Sequence, residues 1–69
     1  MININKVGAQ IAALRKARGL TQAELGERLN VSFQAVSKWE RAEALPDIGL
    51  LVDLAGILGT SADNILTGG

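Results

Sequence analysis

Gln34, Ser37, Lys38 and Arg41 recur at i, i+3, i+4 and i+7. On a helix this spacing makes one contiguous stripe. The stripe offers an amide, a hydroxyl, an ammonium and a guanidinium, with no carboxylate among them. Those groups suit base edges and phosphates: Gln pairs with adenine, and Lys and Arg pair with guanine or phosphate. A solvated helix face is the plainer reading of such a stripe, but its composition favours contact. Phe33, just before it, can touch a thymine methyl, or it can serve as a core residue or a staple. Other chemistries fall away quickly. The chain has no Cys and no His, hence no thiolate nucleophile, no imidazole base, no zinc finger and no disulfide.

The stripe needs elements to position it, and the punctuation of the chain predicts five helices and no strands. Asn5 is a candidate cap for a first helix over about 6–18, with Val7, Ile11 and Leu14 on one face. Gly19 offers a left-handed stop. Thr21 with Glu24 forms a capping box opening a second helix, 22–29. Asn30 tolerates a left-handed stop, and Ser32 caps a third helix, about 33–41. Pro46 marks a loop. Asp47 caps a fourth helix, 48–58, closed by Gly59, and Ser61 caps a fifth, 62–66. Residues 1–5 read as an N-terminal arm and 67–69 as a frayed tail. Val36 and Trp39 face a core from the third helix. Only Asn30, Val31 and Ser32 separate the second and third helices, which forces a sharp corner. Gly26 lets the two approach closely. The pattern is a helix-turn-helix with the third helix in the recognition position.

Composition bounds the rest. The 69 residues allow one small domain, and the apolar runs are too short to span a membrane. The absence of Cys fits a reducing, cytoplasmic setting. Seven bases balance seven acids, for a formal net charge of zero. All seven bases lie within 1–41, however, with only Glu24, Glu27 and Glu40 among them, a balance of +4. Residues 42–69 carry four acids and no base. A dipolar domain of this kind can turn a basic face to a polyanion.

The segments LRKARGLTQAELGERL, VSFQAVSKWE and LAGILGTSADNIL occur in one order and spacing across residues 9–66. In this the chain resembles the lambda-repressor/Cro-like helix-turn-helix family, also called the XRE family. The resemblance implies an all-α, compact five-helix domain that binds double-stranded DNA in a sequence-specific manner as a transcriptional regulator. It implies base contacts from Phe33, Gln34, Ser37 and Lys38, and phosphate contacts from Gln22, Ser32 and Arg41. It also implies a structural ion pair between Arg15 and Glu40, and a core rather than a stacking role for Trp39. Glu24, Glu27 and Glu40 thereby have ready roles as cap, surface and ion-pair residues. No enzyme activity, cofactor, metal or small-molecule site is expected. The chain departs from the family pattern at Asn30 and Ala42, where the family often has Gly. At Ala42 either the corner is strained or the third helix runs on through Glu43. Gly49 and Gly56 should each weaken the fourth helix by up to about 1 kcal/mol relative to Ala.

The fourth helix is apolar on two faces. Ile48, Leu51, Ala55 and Leu58 form the expected core stripe, with Leu50, Leu54 and Ile57 beside it. Either the core is thick, or Leu50, Ile57, Ile65 and Leu66 contribute to a homodimer surface, as relatives use on two-fold operators. The competing functional reading is a protein-interaction module, antitoxin-like or bridging, that keeps the fold without reading bases.

Overall fold

The structure, a computed structural model, describes residues 2–68. Among them are five helices and no strand: α1 (Ile4–Ala17), α2 (Gln22–Leu29), α3 (Phe33–Glu40), α4 (Ile48–Leu58) and α5 (Ala62–Thr67). No described helix is long and apolar enough to cross a membrane.

Helix α1 starts two residues before the expected position. Asn3, not Asn5, is the cap, and its Oδ1 accepts from the backbone N–H groups of Asn5 (3.0 Å) and Lys6 (3.2 Å). The reason is packing. An earlier start places Ile4 on the stripe of Val7 and Ile11, and Ile4 becomes half-buried. The expected arm over 1–5 is shortened accordingly, and Met1 lies outside the described residues. At the other end Thr67 belongs to α5 rather than to a tail. Its hydroxyl donates to the Asp63 carbonyl at 2.9 Å, and Gly68 is the left-handed cap. Gly69 lies outside the described residues.

The remaining starts follow the sequence signals. Thr21 and Glu24 form the reciprocal capping box, with Thr21 N–H to Glu24 Oε1 at 2.9 Å and Glu24 N–H to Thr21 Oγ1 at 3.0 Å. Asn30 takes the left-handed conformation, with φ 58°. Ser32, Asp47 and Ser61 each accept from a backbone N–H three residues on.

The core gathers one stripe from each helix. Ile11, Leu25, Val36, Leu54 and Ile65 are completely enclosed, and Trp39 is buried among them. Helix α3 packs on both α1 and α2, α5 packs on α1 and α4, and α4 reaches α2. Helix α4 corrects the expected stripe. Leu51, Leu54, Ala55 and Leu58 are buried, whereas Ile48 is 74% exposed. Ile48 is the first residue of α4, and helical side chains lean toward the N-terminus. It therefore points past the end of the core instead of into it.

Candidate nucleic-acid interface

The corner that presents α3 depends on two close backbone approaches. A Cβ at Gly26 would lie 2.8 Å from the Val31 carbonyl oxygen, inside the turn. A Cβ at Gly8 would lie 2.5 Å from the Trp39 carbonyl oxygen and 2.9 Å from that of Glu40. Gly8 thus lets α1 lie directly against the C-terminal end of α3, a role the sequence pattern does not reveal.

Behind this corner sits a charged network. Arg15 Nε donates to Glu40 Oε2 at 2.7 Å and Arg15 Nη2 donates to Glu40 Oε1 at 2.9 Å, a bidentate pair. Arg15 Nη1 donates to the Leu20 carbonyl at 2.7 Å. Gln22 Nε2 donates to Glu40 Oε1 at 3.0 Å. Both side chains of the ion pair are about nine-tenths enclosed. Burial pushes the Glu40 carboxyl up, but hydrogen bonds from Arg15 and Gln22, with the charges of Arg15 and Lys16, outweigh it and hold it below its ordinary range. The Glu40 hydrogen bond is the main cause that raises the Arg15 guanidinium. One carboxylate thus fastens α1, the start of α2 and the end of α3 together. Gln22 is held on Glu40 and keeps one amide N–H free. The N-terminus of α2 is partly used as well, since the capping box takes the Thr21 and Glu24 N–H groups.

In front of the corner, Phe33, Gln34, Ser37, Lys38 and Arg41 line one surface cleft. Gln34, Lys38 and Arg41 are exposed and Ser37 is half-buried. Phe33 is 55% exposed, so it is not a core residue. Ser32 Oγ accepts from the Ala35 N–H at 3.3 Å, which leaves its own hydroxyl proton free. Helix α3 ends at Glu40 with Arg41 as the cap residue. Ala42 then sits at φ 60°, so of the two readings at that corner the strained one holds.

The contacts of Arg41 are likewise not announced by the sequence pattern. Arg41 pairs with Glu43 (Nε to Oε2, 2.7 Å) and donates through Nη1 to Ser37 Oγ (2.6 Å). The spacing of two between Arg41 and Glu43 is not a helical contact distance, so only the left-handed turn at Ala42 could have announced it. The dimer candidates also change. Ile65 is completely buried, because it closes the core beneath α1 and α4, and it contributes no surface. Leu50, Ile57 and Leu66 are half-buried against the core. The apolar residues of α4 that stand free are Ile48 and Val52.

A family model described as helix-turn-helix matches residues 11–65. The chain belongs to the lambda-repressor-like helix-turn-helix family. Repressor protein C2 of Salmonella phage P22 is 39% identical over 67 residues, covering 97% of this chain and 31% of that protein. An uncharacterised helix-turn-helix-type transcriptional regulator of Bacillus subtilis, YazB, is 34% identical over 58 residues, or 84% of each chain. Among solved structures, the P22 c2 repressor in complex with a synthetic operator superposes with a TM-score of 0.87 at 40% identity, over 91% of this chain and 96% of that one. The chain spans less than a third of the phage repressor's own length. Within this helix-turn-helix family frame, α2 and α3 are the helices of the motif and the α3 cleft faces outward from it.

Proposed function

We propose that this chain binds double-stranded DNA in a sequence-dependent way and acts as a transcriptional regulator or the reading head of one. The observation that carries this reading is the cleft of α3. Five side chains with donor or apolar ends line it, and it stands on a fold like that of an operator-bound repressor. Gln34 and Lys38, the exposed polar side chains of α3 itself, would read base edges in the major groove, with Phe33 and Ser37 beside them. Gln22, Ser32 and Arg41 would hold phosphates and carry no sequence information of their own. This role places the chain in the cytoplasm.

Selection of bound duplexes from a random pool tests the reading directly. The expected product is a defined motif. Gln34→Ala or Lys38→Ala should relax preference at one position each, by about 1–3 kcal/mol of discrimination. Full discrimination by the Gln34→Ala protein would remove that residue from the set. Binding as a two-fold dimer to a palindromic operator belongs to the same proposal, with half-sites about 34 Å apart. Leu50, Ile57 and Leu66, each half-buried, would contribute their outer edges to that surface. Sedimentation showing only monomer at high concentration, with and without duplex, would remove the dimer.

The second reading, a protein-interaction module, draws on the exposed Ile48 and Val52. A mobility shift with random duplex at low salt separates the two. An interaction module shows no salt-sensitive retardation.

A further inference from the structure

Arg41 is the cation at the rim of the α3 cleft, and in this structure an anion already occupies it. Its Nε and Nη2 donate to the two carboxylate oxygens of Glu43, at 2.7 Å and 3.3 Å. Its Nη1 donates to Ser37 Oγ. The backbone imposes the meeting. Ala42, in the left-handed region, turns the chain back on itself, Ala42 N–H donates to the Trp39 carbonyl at 3.1 Å, and Glu43 N–H donates to the Lys38 carbonyl at 2.9 Å. These two bonds form a Schellman-type closure of α3. They deliver Glu43 onto the face of the stripe, where a residue two further along a helix would not be. Both side chains are more than half exposed, so the pair is held by its own contacts and Ser37, not by packing. A carboxylate presents the guanidinium fork with the same two-oxygen geometry as a phosphate. Lys38 makes no ion pair among the described residues, although its charge joins that of Arg41 in favouring the ionised Glu43.

We propose that Glu43 is an internal stand-in for a DNA phosphate, occupying Arg41 in the free protein and lowering affinity for duplexes of every sequence. This inference rests on the DNA-binding reading above. On binding, Arg41 exchanges one anion for another rather than gaining one. Ser37, accepting from Arg41, is left with its O–H to donate, so it favours acceptor groups such as guanine O6 and N7, thymine O4 or a phosphate oxygen.

The test uses four proteins: the unmodified chain, Glu43→Gln, Arg41→Gln and the double variant. Each is titrated against a random-sequence duplex at several salt concentrations, since phosphate contacts do not require a known operator. Glu43→Gln should tighten binding by about two- to five-fold, the scale of an exposed ion pair, and steepen the salt dependence by about one contact. Arg41→Gln should cost about two- to five-fold more in the Glu43→Gln background than in the unmodified chain. Additive effects would mean that Glu43 acts only as a distant charge, and weaker binding by Glu43→Gln would mean that it orients Arg41. Either result overturns the proposal while DNA binding stands. Absence of salt-sensitive binding in all four proteins overturns the DNA-binding reading itself, and this inference with it.

Discussion

Glu40 does its work by accepting three hydrogen bonds on two oxygens, two from Arg15 and one from Gln22. Its folded pKa lies below the ordinary carboxylate value. The stability it contributes is therefore present above about pH 4.3, where the unfolded carboxylate is also ionised, and is lost as pH falls through the folded value. Thermal melts from about pH 7 to pH 3 should show this loss, and the Glu40→Gln protein should be less stable at neutral pH yet fall less steeply. Glu24 is shifted in the same direction by the Thr21 N–H, so some acid sensitivity remains in that variant. Arg15→Ala removes the partner of an enclosed carboxylate and orphans the Leu20 carbonyl as well. Chemical denaturation should register a loss of about 3 kcal/mol or more. A loss under about 1 kcal/mol would mean that the pair behaves as a surface one.

At the scale of elements, the helices are defined by their ends and by how closely they meet. Ala42 ends α3 in a conformation that costs a non-glycine residue about 1–2 kcal/mol. Ala42→Gly should relieve that cost, offset in part by the freer unfolded chain, for a net gain of up to about 1 kcal/mol in denaturant melts. Gly8→Ala should act the other way. Its Cβ would press on backbone carbonyls of α3, which cannot rotate aside, so separation of α1 from α3 should cost about 1–3 kcal/mol. Helix α4 shows an element completed by another. It has no base in its last turn, and the Arg18 guanidinium from the end of α1 lies against Gly59 at its C-terminus, where a positive charge is favourable.

For the whole molecule, a formal charge of zero conceals a basic N-terminal part and an acidic C-terminal one. Two of the bases are tied up, Arg15 by Glu40 and Arg41 by Glu43. Duplex affinity should still fall with salt despite the neutral total, with a logarithmic slope of about −0.9 for each phosphate neutralised. A flat salt profile in an anisotropy titration would count against any phosphate-held complex.

Local signals in the chain were enough to determine five helices, the capping residues of α2 to α5 and the polar stripe on α3. Each depends on interactions within a few residues: a hydroxyl or carboxylate reaching an N–H three positions on, or side chains repeating at helical spacing. Thr21 with Glu24, Ser32 and Asp47 were legible for that reason. The decisions left to tertiary structure are those between residues far apart in the chain or across a turn. Asn3 rather than Asn5 caps α1 because Ile4 finds a core to join. Ile48 is exposed because it points past the end of the core at the start of α4, and Ile65 is enclosed because α5 packs on α1 and α4; no helical wheel shows where the core stops. Gly8 matters because α3 arrives against it. Arg41 meets Glu43 because one left-handed residue reverses the chain between them, and that backbone state is chosen by the closure of α3, not by the side chain of Ala42.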